Sequence, residues 1–316
     1  MSTATVSIVI PNYNGKEHLR TCLSSVARQS VRPLETLLID DASTDNSLAI
    51  VAEEFAWVTV IRLPENRQFV AAVNAGIRAA KGEYIGLLNS DTEVDPDWVS
   101  EMVQCIKRHP DAGSIASKMV SYLNRSLIDA AGDVLTRSGA PMTRGHGKPD
   151  APQFNREEPV FGACAGAALY RRDLFATIGL FDEDFIAYFE DADLAFRAQL
   201  AGFSCIYAPQ AICYHKRNAT NILFHHFIVR QQERNLVAFY AKNFPLSLLL
   251  RLSPFIFYAR SRQAVQGMLV GSGGAIIKGA FEGLRLLPRM LRKRGTVQKM
   301  RNVPISHLRE FMRKWE

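Results

Sequence analysis

Three apolar runs near the N-terminus each end in residues that can bind a polar ligand. The first run ends in Pro11-Asn12-Tyr13, the second in Asp41, and the third in Asn89-Ser90-Asp91. A carboxylate just past a strand end suits a divalent cation that bridges phosphates, because such cations prefer oxygen ligands. Asp91 is the natural ligand of this kind. Taken alone, it is explained equally well as a cap of the loop before the next helix.

The segment FDEDFIAYFEDADLAFRAQLAGF supplies a second group of acids, Glu190, Asp191 and Asp193. They stand at a predicted helix start, where the macrodipole stabilises carboxylates, and this accounts for one or two of them. The apolar face of the same helix would hold its first turn rigidly. A carboxylate held in this way can act as a general base toward a hydroxyl, which contributes about 10²–10⁴-fold in rate.

His215 closes the strand-like run AICYH, directly before Lys216 and Arg217. A lone histidine is more often structural than a ligand, but its place at a strand end beside two cations suits a metal or diphosphate site. The chain has no GxGxxG after its first strand and no GxxxxGK[ST]. Dinucleotide and P-loop sites therefore lose their usual support.

These residues need a scaffold that brings distant segments together. Continuous apolar runs alternate with helical patterns, which predicts an α/β fold with a mostly parallel sheet covered on both faces. In such a sheet, ligands bind beyond the carboxyl ends of the strands. The predicted strands cover residues 6–11, 35–40, 58–63 and 84–89, and the predicted helices cover 18–28, 45–55, 69–80 and 95–108.

The pattern is weaker in the middle of the chain. Residues 121–159 are rich in Gly, Pro, Asp and Arg, and we expect long surface loops there. The predicted later elements are helices over 171–178 and 190–201, the second ending at Gly202, two short strands over 204–207 and 211–214, and helices beyond 221 that are interrupted at Pro245, Pro254 and Pro288.

Charge divides the chain into two parts. Residues 222–316 carry 17 Lys and Arg against 4 Asp and Glu, whereas residues 1–221 carry 21 against 27. We therefore expect an α/β domain over 1–221 and a helical, basic C-terminal extension over 222–316. The extension mixes apolar and basic residues, which suits an anionic membrane surface. A helical subdomain packed on the first domain is an equal alternative, and nucleic-acid binding is disfavoured because the first domain is acidic.

The cysteines and the N-terminus indicate a reducing compartment. Five cysteines without a CxxC pair argue against a disulfide framework or a structural zinc site. Residues 1–5 lack the basic and apolar regions of a signal peptide. We expect a cytoplasmic protein, which contact with lipid would hold at the inner face of the cell membrane.

Four motifs resemble, in order and spacing, family 2 of the GT-A glycosyltransferases: IVIPNYN, LLIDDASTDNS, YIGLLNSDTEVDPDW and the acidic segment FDEDFIAYFEDADLAFRAQLAGF. The segments GDVL, FGACAGAALYRRDLF and YHKRNAT are most similar to the rhamnosyltransferase-like branch, which acts on lipid-linked or cell-wall glycan acceptors. The resemblance covers residues 6–220. It implies a GT-A fold and inverting, metal-dependent transfer of rhamnose or another hexose from a nucleotide-sugar donor to an acceptor hydroxyl.

The resemblance also implies roles for individual residues. Asp191 would be the general base, and Asp91 with His215 would hold Mn²⁺ or Mg²⁺ on the diphosphate. Asp41 would accept a hydrogen bond from the donor base. The other implied contacts are those to the nucleotide sugar, from Pro11, Asn12, Tyr13, Asn66, Asn74, Asn89 and Ser90, and those to the acceptor, from Cys164, Gly166 and Glu190.

Two positions depart from the family pattern. Gln68 stands where the family often has glycine, so the approach of the backbone to the donor would differ there. Only Asp91 is acidic where the family has a DxD motif, which would weaken the metal requirement. Neither departure removes the base or the diphosphate site.

Other functions share part of this pattern. A sugar-phosphate nucleotidyltransferase would use the same nucleotide and metal, but PNYNGKEHL is a poor match to its Gly-rich triphosphate loop. A non-catalytic sugar-binding protein would not need Asp91, Asp191 and His215 together. A glycoside hydrolase uses two carboxylates but leaves the polar strand ends unexplained. The residues do not identify the donor base, the sugar, the acceptor or the oligomeric state.

Overall fold

Strands alternate with helices in the N-terminal part of the molecule, as predicted. A computed structural model describes residues 4–217 and 222–313. The side chains of β1, β2 and β4 are almost all buried, so helices must cover both faces of the sheet. The elements are β1 Val6–Asn12, α1 Lys16–Ala27, β2 Glu35–Asp40, α2 Ser47–Glu54, β3 Thr59–Arg62, α3 Gln68–Ala79, β4 Tyr84–Leu88, β5 Thr92–Val94 and α4 Trp98–Arg108.

One sheet runs through the first domain. Its parallel part has the order β4-β1-β2-β3. β4 then pairs antiparallel with β11 (Ala167–Arg171), β11 pairs antiparallel with β6 (Ala112–Ser121), and β6 pairs parallel with β12 (Ser204–His215). The carboxyl ends of β1, β2 and β4 therefore lie at one edge, and β11 begins at that edge.

The segment around residues 121–159 is only partly a surface loop: residues 128–135 are buried in the core, whereas residues 123–126 and 146–150 are exposed, so the prediction of long surface loops was wrong for 128–135. It follows the buried strand β6 and contains β7 (Ile128–Ala130), β8 (Asp133–Leu135), β9 (Pro141–Thr143) and the start of β10 (Glu158–Val160). Each of these strands has three residues, too few to show a period. β7 and β8 are buried, although β7 pairs with the preceding strand β6 and β8 pairs with the unburied β9; the burial of Leu135 comes instead from a core that it shares with Phe161 and Phe244.

Two other predicted elements differ in extent. A single strand, β12, replaces the two short strands, and a register shift between Ala208 and Ile212 accommodates the break in the pattern. Helix α4 begins at Trp98 instead of Asp95, because the Asp95 N–H donates to the Ile212 carbonyl and is tied to β12. The predicted helices α5 (Arg172–Ile178) and α6 (Glu190–Ala201) are confirmed.

The described part of the C-terminal extension is helical and shares a core with the first domain. Pro254 and Pro288 lie inside helices and do not end them, whereas Pro245 precedes one. The shared core includes Leu135, Phe161 and Phe196 from the first domain with Phe239 and Phe244 from the extension. The helices are α7 Ile222–Asn243, α8 Leu246–Leu269, α9 Gly273–Lys299 and α10 Ile305–Arg313.

Within residues 4–217 and 222–313, none of the helices has the length and apolar composition that crossing a bilayer requires. The predicted boundary at residue 221 lies outside the described residues, as do residues 218–220 of the YHKRNAT motif and residues 1–3. The boundary therefore stays a prediction, but the shared core shows that the extension packs on the first domain.

Candidate functional site

A cleft of about 290 Å³ opens at the carboxyl edge of the parallel strands. Its walls come from the segments that follow β1, β2 and β4 and from the start of α3. Tyr13 is 53% exposed, which leaves its ring accessible to a ligand. The lining residues are Pro11, Asn12, Tyr13, Asp41, Asn66, Gln68, Phe69, Ala72, Asn89, Ser90 and Asp91. The structure thus brings together the residues predicted for the nucleotide sugar, with one exception.

The exception is Asn74, which was predicted to contact the nucleotide sugar but does not line the cleft. It is buried, its side-chain amide donates to the Phe181 carbonyl at 2.9 Å, and its oxygen accepts from the Phe181 N–H at 3.1 Å. Asn74 stands two positions after Ala72, which turns it by about 200° to the other side of α3. It fastens the segment before α6 to this helix.

Asn12 is held at the end of β1 by two neighbouring side chains. Its amide nitrogen donates to Asp40 at 3.1 Å and to the Ser43 hydroxyl at 3.2 Å. The buried side-chain oxygens of Asn12 and Asn89 have no hydrogen-bond partner within the described part of the chain. A Cβ at Gly15 would lie 2.3 Å from the Asn12 oxygen, so only glycine fits beside it. Unpartnered acceptors of this kind suit a polar ligand.

Asp41 holds the start of α3 against the cleft. Its two oxygens accept from the backbone N–H groups of Arg67 at 2.7 Å and Gln68 at 2.9 Å. Burial raises the pKa of Asp41, while these hydrogen bonds oppose the rise. Asn66 lies beside them and accepts from the Gln68 side chain at 2.8 Å.

Gln68 has a left-handed backbone, with φ of 70°. This is the conformation that glycine adopts at least cost. The backbone at residue 68 therefore has the conformation that the glycine of the family pattern would adopt. Because glutamine stands there instead, a side chain is added to the cleft wall.

Asp91 and His215 are brought together by strand pairing, because β5 pairs with the end of β12 and Thr92 lies opposite His215. His215 Nε2 lies 3.3 Å from Asp91 Oδ2, and His215 Nδ1 lies 2.7 Å from Asp129 Oδ2. Burial opposes protonation of the ring, but the hydrogen bonds to Asp129 and Asp91 raise the pKa of His215 to about 9. The ring therefore joins two carboxylates.

This arrangement fits a divalent cation at Asp91 and His215. The Asp91 carboxylate is of the ligand type that Mg²⁺ and Mn²⁺ prefer, and imidazole is the commonest metal-binding side chain. A ligating histidine usually donates its other N–H to a carboxylate, which is the place that Asp129 occupies. In the metal-free protein the protonated ring, beside Lys216 and Arg217, can instead meet a diphosphate.

Asp191 lies half-buried at the start of α6 among other carboxyl groups. Burial raises its pKa, and the backbone N–H groups of Ala192 and Ala165 oppose the rise. Burial and the charge of Asp191 raise the pKa of both Glu190 and Asp133, and Glu190 Oε2 has no hydrogen-bond partner within residues 4–217 and 222–313. An aspartate with a raised pKa is suited to accept a proton.

Asp193 has a structural role. It is fully buried and paired with Arg197 at 2.9 Å and with Lys242 at 2.7 Å. Of the three acids at the helix start, Asp191 is the one that is partly accessible.

The segment of Cys164 and Gly166, which was predicted to contact the acceptor substrate, is joined to the donor cleft by a hydrogen bond. The Asn89 N–H donates to the Gly166 carbonyl at 2.8 Å, because β11 starts beside the end of β4. A Cβ at Gly166 would lie 3.3 Å from the Asn89 side chain and 3.6 Å from Cys164 Sγ. Gly166 thus lies between the cleft and Ala165, whose N–H faces Asp191.

The turn before Asp191 is strained, since Ile186, Tyr188 and Phe189 all have positive φ. Such residues cost about 1–3 kcal/mol each and persist only where their surroundings hold them. The buried amide of Asn235 in α7 donates to three carbonyl oxygens of this turn at 2.6–2.8 Å, those of Phe185, Ala187 and Tyr188.

Sequence reasoning missed Asp129, Asp133 and Asn235. Asp129 is 86 positions from His215, and Asn235 is about 50 from the turn that it holds. Asp133 belongs to the GDVL segment that marked the resemblance, which was a usable signal. No local pattern points to the other two.

Two solved structures have a similar fold. S. aureus TarS 1-349 in complex with UDP-GlcNAc aligns with 98% of this chain and 91% of that one, with a TM-score of 0.63 and 16% identity. Mannosyltransferase PcManGT from Pyrobaculum calidifontis, in complex with GDP-Man and Mn²⁺, aligns with 100% and 89%, with a TM-score of 0.57 and 19% identity. These likenesses confirm the predicted GT-A type of fold.

The sequence comparisons identify the family. N-acetylglucosaminyl-diphospho-decaprenol L-rhamnosyltransferase of Mycobacterium tuberculosis is 27% identical over 242 residues, 69% of this chain and 78% of that protein. Other relatives are longer, and the chain spans 25% of one from Sinorhizobium fredii. The sequence model described as Glycosyl transferase family 2 matches residues 7–179, more than half of the chain. The chain belongs to glycosyl transferase family 2 and is a glycosyltransferase.

Proposed function

We propose that this glycosyltransferase moves a sugar, with inversion, from a nucleotide-sugar donor to an acceptor hydroxyl, with a divalent cation on the donor diphosphate. The proposal depends on one observation, the 2.8 Å hydrogen bond from the Asn89 N–H to the Gly166 carbonyl. This bond joins the cleft to the segment beside Asp191. A donor cleft and a base that lie near the same strand end would suit a single displacement.

The comparisons support this donor and a lipid-linked acceptor. TarS and PcManGT form complexes with UDP-GlcNAc and with GDP-Man and Mn²⁺. The mycobacterial relative is named for transfer of L-rhamnose to N-acetylglucosaminyl-diphospho-decaprenol. We infer a glycan or polyprenol-linked acceptor, and rhamnose or another hexose as the sugar. The basic extension would bring the chain to the anionic membrane where such an acceptor lies.

In the proposed reaction, Asp191 takes the proton of the acceptor hydroxyl while the hydroxyl oxygen bonds to the anomeric carbon. The bond from that carbon to the diphosphate oxygen breaks in the same step, and the nucleoside diphosphate departs. Attack occurs from the face opposite the leaving group, so the configuration inverts. The raised pKa of Asp191 makes it a stronger base than a free aspartate.

Asp91 and His215 would hold Mn²⁺ or Mg²⁺, with Asp129 orienting the ring. Bound there, the cation would act as a Lewis acid that neutralises the departing diphosphate. Pro11 and Tyr13 would border the donor base, and Asp41 would accept from it. The remaining proposed contacts are those of Asn12, Asn66, Asn89 and Ser90 to the donor, and those of Cys164, Gly166 and Glu190 to the acceptor.

Replacing the base tests the proposal. A thermal-shift screen of UDP-, dTDP- and GDP-sugars with Mn²⁺ first identifies the donor. We expect Asp191→Asn to lower kcat about 10²–10⁴-fold, because the general base is lost. Donor affinity, measured by calorimetry, stays near the parent value because Asp191 lies outside the cleft.

Asp173→Asn serves as the matched control, since Asp173 is exposed and pairs with Arg171 away from the proposed site. It should keep full turnover. Near-normal turnover of Asp191→Asn would overturn the assignment. Full activity in EDTA would remove the metal from the proposal.

A further inference from the structure

One face of α9 is apolar and exposed. Ile277, Phe281, Leu284 and Leu291 are each more than half exposed. Their spacings of four, three and seven residues place them in one stripe along the helix. A stripe of this kind normally faces a core, so its exposure requires an explanation.

The other face of α9 is packed closely on α7. A Cβ at Gly279 would lie 2.2 Å from the Arg230 carbonyl oxygen, and one at Gly283 would lie 2.7 Å from Val237 Cβ. These glycines stand two positions after Ile277 and Phe281, which is about 200° around the helix. The packing therefore fixes α9 with its apolar stripe pointing away from α7.

The end of α8 and the turn that follows it present further apolar side chains. Met268, Leu269 and Val270 are 64%, 82% and 72% exposed. A Cβ at Gly267 would lie 2.2 Å from Ile276 Cδ1, so the two helices meet closely just behind this turn. The turn is thus an apolar tip on a tightly packed hairpin.

A row of cations runs beside the stripe. Lys278, Arg285 and Arg292 are exposed, recur every seven residues and follow stripe residues directly. No salt bridge holds any of the three among the residues that the structure describes. Residues 246–299 contain ten Lys and Arg and one acid, Glu282, which pairs with Arg230 at 2.5 Å. The exposed face is therefore apolar and positive.

We propose that the apolar tip, residues 268–270, and the exposed stripe of α9 dock onto an anionic lipid bilayer. The apolar side chains would leave water for the boundary between headgroups and acyl chains, and the cations would meet lipid phosphates. A second copy of the chain is a poorer occupant, because it would set one row of cations against another. The purpose of this surface depends on the proposed function, since the protein would meet a lipid-linked acceptor at the bilayer.

Flotation with vesicles tests the proposal on the full chain. Vesicles of equal parts phosphatidylglycerol and phosphatidylcholine should carry the protein upward at low salt, and pure phosphatidylcholine should carry much less. The triple change Lys278→Gln, Arg285→Gln and Arg292→Gln should lower binding about 100-fold, because each cation near an anionic surface contributes separately. The double change Leu269→Glu and Phe281→Glu should lower it as strongly.

Two control variants match these changes. The triple change Arg32→Gln, Lys81→Gln and Lys148→Gln removes the same charge from exposed positions on the first domain, and Leu123→Glu alters a side chain that is 86% exposed there. Both should float like the parent protein. Circular dichroism establishes that each variant is folded.

Three outcomes would overturn the proposal. In the first, the parent protein would remain in the bottom fraction. In the second, the variants and the controls would lose binding equally. In the third, light scattering would show a dimer of the parent protein that the stripe variants break. Flotation does not depend on turnover, so a failure of lipid docking can be distinguished from a failure of the proposed function. Loss of flotation with retained transfer to a water-soluble acceptor identifies a failure of docking alone.

Discussion

At the scale of single residues, the properties of His215 are determined by the two carboxylates that flank its ring. Each ring nitrogen faces a different acid, Asp129 at 2.7 Å and Asp91 at 3.3 Å. Asp129 is itself held by Arg217 at 3.2 Å. If Asp91 and His215 share a cation, Asp129 keeps Nδ1 protonated and leaves Nε2 as the ligand atom.

We expect Asp129→Ala to weaken Mn²⁺ binding about 10–100-fold, since it removes the carboxylate that orients the ring. Asp129→Asn keeps a hydrogen-bond acceptor but loses the negative charge, so its affinity for Mn²⁺ should lie between those of Asp129→Ala and the parent protein. Isothermal titration of the donor-free protein with Mn²⁺ gives the affinities. Asp97→Ala, which removes an exposed aspartate bonded to Ser30, should leave them unchanged. Parent-like affinity for Asp129→Ala would contradict the role.

At the scale of secondary-structure elements, α7 supports the turn that carries Asp191 into α6. The turn has three residues with positive φ, and a buried amide from α7 binds its carbonyl oxygens. Without that amide, strained backbone would lose the contacts that hold it. A helix of the C-terminal extension thus determines the position of the proposed base.

We expect Asn235→Leu to lower kcat about 10²-fold with little change in the KM for the donor, because a base displaced by about 1 Å costs this much and the donor cleft is elsewhere. Steady-state kinetics at varied donor concentration separate the two constants. Gln232→Leu changes an exposed neighbour on α7 and should have no effect. An unchanged kcat in folded Asn235→Leu would refute the positioning role.

At the scale of the whole molecule, buried ion pairs join the extension to the first domain. Lys242 of α7 lies 2.7 Å from both Asp182 and Asp193, and Lys293 of α9 pairs with Asp182 and Asp184. Lys242 and Asp193 are almost fully buried. Without Lys242, Asp193 would keep Arg197 and Asp182 would keep Lys293, but each of these carboxylates would lose a charged partner in the interior.

Lys242→Met should therefore lower the free energy of unfolding by about 3–5 kcal/mol, measured by urea denaturation. The same change at exposed Lys299, which ends α9, should lower it far less. Equal stability of the two variants would show that the extension folds without this contact.

Much of the molecule could be predicted from the sequence. Continuous apolar runs predicted the parallel sheet, and the polar residues at the ends of these runs predicted residues that line the cleft. Asp91 with His215, and the helix that begins at Glu190, also came from local pattern and family motifs. Such features can be predicted because neighbouring residues alone decide strand, helix and strand end. Burial of residues 128–135 could not, because it depends on packing against residues far along the chain, as for Leu135 in one core with Phe244.

The order of residues along the chain establishes the available chemistry, namely amides, carboxylates and one histidine at strand ends, and the family to which they belong. Which of these groups act on one another depends on how the elements pack. This packing turned Asn74 to the far side of α3, set Asp129 on His215, and brought Asn235 from the basic extension onto the turn before Asp191. The reason is physical: periodicity along a chain records the face on which a residue lies, whereas contacts between residues 50 or 86 positions apart depend on how the elements pack.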